Sequence, residues 1–286
     1  VLRALWPEVV AQFSAKHGPP PGKGATVIGM GSLGAGRLTS ASDLDIIVIY
    51  DPEDVEMSEG RRPLATRPYY ARLTQALVTA VTAPMAQGRL YVLDMRLRPS
   101  GNSGVLVIHI NTFGQYQQKD AWTWEHQALV RARLIYGNPS IASDFSQIRE
   151  QILRQSRELT QLKTDVSAMR EKMRNHLDKS SGDLVDIKQG AGGLVDIEFL
   201  AQYLVLAHSC HHESLTERCD NLGIFNQLAK LKILTNAEQK LLINCYQQLR
   251  EYCHKATLQN EAQLIDISLL TEQSKIIALW NKLLAH

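Results

Sequence analysis

With 286 residues, 44% hydrophobic and 21% charged, the chain has an ordinary soluble composition and room for two domains. A net charge of +2 gives no case for a nucleic-acid surface. No apolar run reaches the roughly 18 residues a membrane span needs, and no signal peptide opens the chain, so a cytoplasmic protein with no nucleic-acid or membrane partner is expected. The first residue is not Met and lies inside a helical pattern, which reads as a piece of a longer protein.

Leu2, Leu5, Val9, Val10 and Phe13 recur at helical spacing and predict an amphipathic helix over Leu2 to Lys16, stopped by Pro19-Pro20-Pro21-Gly22. The next stretch carries the chemistry. Val27 to Met30 reads as a buried strand, Gly31 to Gly36 as a glycine-rich turn, and Leu44 to Tyr50 as a second strand rich in β-branched residues. Asp43 and Asp45 sit at the start of that strand, and side chains two apart on a strand face the same way. Two carboxylates roughly 4 Å apart repel by about 4 kcal/mol at an effective dielectric near 20. A hard cation such as Mg²⁺ supplies the reason to hold them together, binding through carboxylates plus substrate phosphates. Gly31 and the turn after it let backbone approach a phosphate, and Ser32 adds a hydroxyl.

Asp51 to Pro68 reads as a surface loop, and Tyr69 to Met85 keeps a helical period. Gly88 to Leu97 is expected as a strand with Asp94, Arg96 and Arg98 on one side. Asp94 can complete a metal site while Arg96 or Arg98 binds phosphate; the plainer alternative is an ion pair that only neutralises Asp94. Val105 to Ile110 is another β-rich run. Trp122 to Tyr136 places Trp122, His126, Leu129 and Arg133 on one helical face, with Arg131 and Arg133 in reach of an anion. Its tryptophans are expected as core anchors and His126 as a hydrogen-bonded structural residue.

Beyond Gly137-Asn138-Pro139 strand signals fade, and helical patterns run through Ile141 to Leu153, Leu159 to Leu177, Leu194 to His208, Leu222 to Leu231 and Ala237 to Thr257, with a closing helix through Trp280. The mixed charges of Met169 to Arg174 suit a partly solvated face. Lys188 and Gly190, Gly192 and Gly193 precede a helix carrying Asp196 and Glu198, which reads equally as capping chemistry or as a phosphate contact. Cys210, Cys219, Cys245 and Cys253 have no C-x-x-C spacing and read as free thiols on helices rather than as a zinc site with His208, His211 and His212. The expected fold class is α+β, a first domain over residues 1–137 with a mixed sheet flanked by helices, then an all-α helical bundle over 138–286.

Gly31-Ser32 followed by Asp43-Leu44-Asp45 resembles the signature of the nucleotidyltransferase superfamily that includes DNA polymerase beta, with Asp94 as the later third carboxylate. Four ordered motifs narrow the match: SDLDIIVIYD, DMRLRPSGNSG, AWTWEHQALVRARLIYG and DIKQGAGGLVDIEFLAQYL closely resemble the glutamine synthetase adenylyltransferase family, also called glutamate-ammonia ligase adenylyltransferase. The resemblance implies transfer of AMP from ATP to a tyrosine of glutamine synthetase with release of pyrophosphate. It implies Mg²⁺ or Mn²⁺ at Asp43, Asp45 and Asp94, with Asp94 as base. Nucleotide contacts would come from Gly31, Ser32, Arg96, Arg98 and Lys188, and PII signal protein and glutamine would be regulators. The Trp122 to Arg133 motif looks like the adenylylating half of the family; the alternatives are the half that removes AMP by phosphorolysis and a silent binding module. Many members have Gly-Lys-Leu-Gly where this chain has Gly31-Ser32-Leu33-Gly34, so a phosphate contact by that lysine is lost and Arg37 or Lys188 is the substitute.

Overall fold

The computed structural model describes residues 1–39, 42–84, 86, 88 and 91–284. Met85, Arg89 and Leu90, which the sequence assigns to the end of one helix and the start of the next strand, lie outside them. The chain divides into two compact units, one formed by Val1–Leu38 and Ser42–Ile152, the other made up, apart from the short segment at Thr39, of the chain from Leu153 onward. The composition changes earlier, at Gly137; the difference is one helix, Pro139–Leu153, nearly all of which belongs to the first unit.

The first unit opens with α1 (Leu2–His17), whose Leu2, Trp6 and Val9 lie on one buried face. It leads into β1 (Gly24–Gly29), the single helical turn α2 (Gly31–Gly34) and β2 (Leu44–Asp51). Helix α3 (Thr66–Thr82) follows, then the two-residue strands β3 (Leu93–Asp94) and β4 (Ile108–His109). Helices α4 (Ile110–Lys119) and α5 (Thr123–Val130), strand β5 (Arg133–Gly137) and α6 (Pro139–Leu153) complete it.

Among the described residues these strands form one mixed sheet in the order β3-β2-β1-β5, with β4 also on β2. β1 is antiparallel to both β2 and β5. β3 and β4 run parallel to β2 along the same edge but at opposite ends, pairing with Leu44–Asp45 and Ile49–Tyr50 respectively. Leu44, Ile46, Val48 and Tyr50 face a core shared with Trp6, Tyr69, Tyr70, Leu73 and Leu77 of α1 and α3. Ile47 and Ile49, of opposite parity, are equally buried, and α4 packs on β2, so the sheet is covered on both faces.

Three expectations need correction here. The segment read as a helix over Trp122 to Tyr136 is helical only to Val130; Arg133–Gly137 is a strand, because Arg133, Leu134 and Tyr136 pair with Gly29, Ile28 and Val27 of β1. The β-rich run Val105 to Ile110 gives only the two residues of β4, after which His109 caps α4 by accepting the Asn111 N–H at 3.0 Å on Nδ1. Trp122 is no core anchor: as the N-cap of α5 it is 71% exposed. His126 does take a backbone partner, with Nε2 2.9 Å from the Gln117 carbonyl.

The second unit contains α7 (Leu159–Leu177), β6 (Leu184–Asp186), α8 (Leu194–His208), α9 (Asn221–Lys230), α10 (Asn236–Gln259), β7 (Leu264–Asp266) and α11 (Gln273–Leu284). Helix α8 is apolar around most of its circumference because α7, α9, α10 and α11 all pack on it. A short antiparallel ribbon of β6 and β7 accompanies the bundle. Cys245 and Cys253 lie buried on α10, where burial pushes both thiols up to about 11. Among the described residues no helix is long and apolar enough to cross a membrane.

The glycine approach to α8 is fastened from below. Asp196, 2% exposed, accepts the Gly192 N–H at 2.7 Å, Arg170 Nε at 2.5 Å and Arg174 Nη2 at 2.9 Å. Arg170 is fully buried and also donates to the Gln189 carbonyl at 2.7 Å. The helix around Arg170 has the partly solvated face its mixed charges suggested, with Glu171 and Lys172 exposed, and in addition carries one fully buried cation, Arg170. Carbonyls of Ile187 and Lys188 accept the N–H groups of Leu194 and Val195, so these groups at the start of α8 are occupied by the chain itself. Replacing Asp196 by Ala leaves the Arg170 charge buried without its anion, an expected loss of about 3–5 kcal/mol. Urea unfolding of Asp196→Ala at pH 7 measures it; a loss below about 1 kcal/mol would contradict this role.

Candidate active site

The sheet brings one end of three segments together. β1 leaves the sheet at Gly29, and the Met30 N–H donates to the Asp45 carbonyl at 2.8 Å, so α2 starts beside the first residues of β2. Gly31 has φ +51°, and a Cβ there would stand 2.6 Å from Asp45 Oδ2. A side chain at this position would be both strained and in collision with the carboxylate. Gly34 is needed for space: its Cβ would fall 1.8 Å from the Arg131 carbonyl oxygen. Ser32 lies half-buried within α2, which takes the place of the expected turn. Arg133 Nη2 donates to the Leu33 carbonyl at 3.1 Å, tying β5 to that helical turn.

Asp45 pairs in register with Asp94 on the neighbouring parallel strand β3, as Leu44 does with Leu93. Asp43 precedes β2 by one residue and is exposed, and its charge acts on Asp45. Burial, then the charges of Asp94 and Asp43, push the Asp45 carboxyl up to about 6 against the opposing pull of Arg131 and Arg96. Arg131, 4% exposed, is the C-cap of α5 and so brings a buried cation to this end of the sheet. Sequence spacing identified it only as a residue in reach of an anion, because a helix continued to Tyr136 hides that α5 ends at it.

The strand expected to run to Leu97 stops at Asp94 among the described residues. Arg96 and Arg98 therefore occupy a turn and have different partners. Arg96 folds back on Asp94, with Nε at 2.7 Å from Oδ2 and its backbone N–H at 2.8 Å from Oδ1. Arg98 clamps the turn itself, donating to the carbonyls of Met95 at 2.7 Å and Asn102 at 3.4 Å. Burial resists ionisation of Asp94, but the Arg96 hydrogen bonds and the charges of Arg96 and Arg98 outweigh it and hold the carboxyl below the usual range. The Ser100 N–H donates to the Tyr116 hydroxyl at 3.1 Å, and that hydroxyl donates to Glu125 at 2.9 Å, which anchors the turn to α4 and α5. Lys188 is exposed in the second unit and belongs to the fastened glycine loop described above.

Asp43, Asp45 and Asp94 offer only hard oxygen donors, the set that Mg²⁺ or Mn²⁺ takes, and a cation would offset the burial and the carboxylate repulsion that together raise Asp45. Among the described residues no three His, Cys, Asp or Glu side chains are arranged to hold a metal ion as they stand, and Asp94 is engaged by Arg96. The donor chemistry fits a divalent ion, and Asp94 is at the same time the acceptor of Arg96.

A family model described as glutamate-ammonia ligase adenylyltransferase matches residues 1–148, and one described as GlnD PII-uridylyltransferase matches residues 160–279. The interval between them contains the division at Ile152 and Leu153. The bifunctional glutamine synthetase adenylyltransferase/adenylyl-removing enzyme of Psychromonas ingrahamii is 41% identical over 99% of this chain. The chain spans 30% of the length of that relative.

The raised Asp45 carboxyl makes a signed prediction. Its value of about 6 exceeds the ordinary 3.8, so between these values the folded protein binds more protons than the unfolded chain, and stability falls as pH rises through this window. Asp45→Asn removes the charge and is expected to stabilise the metal-free protein by about 2–3 kcal/mol at pH 7.5, at about 1.4 kcal/mol per unit, with little difference at pH 4. Denaturant midpoints with a chelator present check it; an equal effect at both pH values, or no gain at pH 7.5, would contradict it.

Proposed function

Because the chain belongs to the glutamate-ammonia ligase adenylyltransferase family, we propose that its first unit transfers AMP from ATP to a tyrosine hydroxyl of glutamine synthetase and releases pyrophosphate. The observation that carries this reading is the registered pair Asp45 and Asp94 beside the crowded Gly31 backbone, a site where carboxylates and a close backbone approach meet. The choice of the adenylylating half follows the Trp122 to Arg133 motif. The printed name of the Psychromonas relative includes the adenylyl-removing activity as well, and the same carboxylates would serve it.

Asp43, Asp45 and Asp94 are the residues to hold Mg²⁺ or Mn²⁺. A divalent ion bound there supplies positive charge to the attacking and leaving oxygens of an in-line displacement. Gly31 and Ser32, with Arg96, hold the phosphates so that the α-phosphorus is open to attack, while Arg98, expected as a second phosphate contact, clamps the turn that carries Arg96. A phenol has an ordinary pKa of about 10 and must lose its proton near neutral pH. Asp94 accepts that proton, the phenolate oxygen bonds to the α-phosphorus, and the bond from that phosphorus to the bridging oxygen breaks as pyrophosphate leaves. The match of residues 160–279 to a PII-uridylyltransferase model supports PII signal protein as a regulator, with glutamine as a second effector. On this reading the chain is part of a cytoplasmic enzyme of nitrogen regulation.

The test is incubation of the purified chain with unmodified glutamine synthetase, Mg²⁺ and α-labelled ATP, alongside Asp43→Asn and Asp45→Asn. Label on a tyrosine with matching pyrophosphate is expected, reduced at least about 100-fold in either variant, on the scale of losing an electrostatic group worth about 3 kcal/mol in the transition state. ADP from pre-adenylylated synthetase and phosphate, without label transfer, would identify the adenylyl-removing half instead.

A further inference from the structure

Two arginines two residues apart in the turn after β3 are held in opposite ways. Arg98 spends its guanidinium on the carbonyls of Met95 and Asn102, which fixes the turn. Arg96 places Nε and Nη2 on one oxygen of Asp94, at 2.7 and 2.5 Å, while its backbone N–H takes the other oxygen at 2.8 Å. Its side chain is 69% exposed, whereas that of Asp94 is only 12% exposed. The carboxylate is thus a fixed, recessed acceptor, and the guanidinium over it is a cation on a long stem open to solvent. An ion pair with one partner so exposed is worth only a few-fold in an equilibrium constant. A triphosphate offers the same guanidinium several charged oxygens in the bidentate geometry it favours.

We infer that Arg96 is a positioning residue that exchanges partners, holding Asp94 in the nucleotide-free protein and passing its guanidinium to the phosphates of an incoming nucleoside triphosphate. The inference rests on the assignment of Asp45 and Asp94 as cation-holding residues. The exchange leaves the backbone N–H of Arg96 on Oδ1 and frees Oδ2. The turn need not move, because Arg98 and the Ser100, Tyr116 and Glu125 chain hold it. Asp94 then becomes several-fold more available to a divalent cation, and to the phenol proton, when a triphosphate is present, so the nucleotide and the cation at Asp94 bind cooperatively. The arrangement orders the site: a hydroxyl arriving first meets a carboxylate already neutralised by arginine.

Mn²⁺ binding to the full chain, followed by the electron paramagnetic resonance of free Mn²⁺ with and without a non-hydrolysable ATP analogue, tests the exchange. Wild type, Arg96→Gln and Asp45→Asn are compared, and protein-bound Mn²⁺ is counted beyond that chelated by the analogue. Arg96→Gln is expected to bind Mn²⁺ about three- to tenfold more tightly than wild type without nucleotide, the range of a partly exposed charge-assisted pair, and to match wild type once the analogue is bound. Equal nucleotide-free affinities, with Asp45→Asn having lost the ion, would overturn the exchange while leaving the site intact. An equal gain in Arg96→Gln with and without analogue would mean simple charge removal and would also overturn it. Unchanged binding in Asp45→Asn would overturn the underlying site assignment, and the exchange with it.

Discussion

Asp45 and Asp94 are opposite each other on hydrogen-bonded parallel strands, and the sheet gives neither a way to move apart. Parallel strands lie about 4.8 Å apart, so registered carboxylates repel unless something positive comes between or beside them. The rest of this end of the first unit answers that demand. Arg131 arrives at the end of α5, Arg96 folds back from the turn after β3, and Gly31 leaves no side chain where the carboxylate needs room. The other end of β2 shows the same problem solved by protein alone. There Asp51 meets Lys23 at 2.7 Å, accepts the Glu53 N–H at 3.0 Å and lies 3.9 Å from His109, and together Lys23 and the other groups hold its carboxyl below the usual range against its burial. One end of the strand is satisfied by its own neighbours; the other retains a carboxyl raised by burial and by Asp94 and Asp43, and that contrast is one reason we propose this end as the active site.

Much of this was legible because the relevant signals are short-range. Val27 to Met30 and Leu44 to Tyr50 are runs of branched apolar residues that only a covered sheet accommodates, and Asp43 and Asp45 carry the period of a strand entry. Helices α7 and α8 have the bounds their periodicity implies. What stayed hidden depends on pairing across the chain. Arg133–Gly137 has no breaker between it and α5, and becomes a strand only because β1 offers an open edge. The ribbon of β6 and β7 joins three-residue strands nearly 80 residues apart, too short for any periodicity to announce. Alternation from Asp94 to Arg98 suggests a continued strand, yet Pro99 and the folded-back arginines end it, and whether an arginine binds carboxylate, carbonyl or phosphate is not written in its spacing.

The two glycine-rich segments show why composition alone could not decide their roles. Gly31 meets a carboxylate on which Arg131 and Arg96 act only as nearby charges among the described residues, so its backbone borders a carboxyl that stays raised. Gly190 to Gly193 run over Asp196, which two arginines and the Gly192 N–H already satisfy, while nearby carbonyls occupy the first N–H groups of α8. Similar residues thus serve a site in one unit and a buried brace in the other. The distinguishing quantity is whether the polar groups beside the glycines are already paired.

The central claim is that the fold forces Asp45 against Asp94 in a partly desolvated position, and the titration of one carboxyl tests it most directly. With aspartate labelled at the side-chain carboxyl carbon, the Asp45 resonance of the metal-free protein should titrate near pH 6, and the midpoint should fall in Asp94→Asn as one neighbouring charge is removed. An Asp45 midpoint at the ordinary carboxylate value, unchanged by Asp94→Asn, would show that the two groups do not share a site.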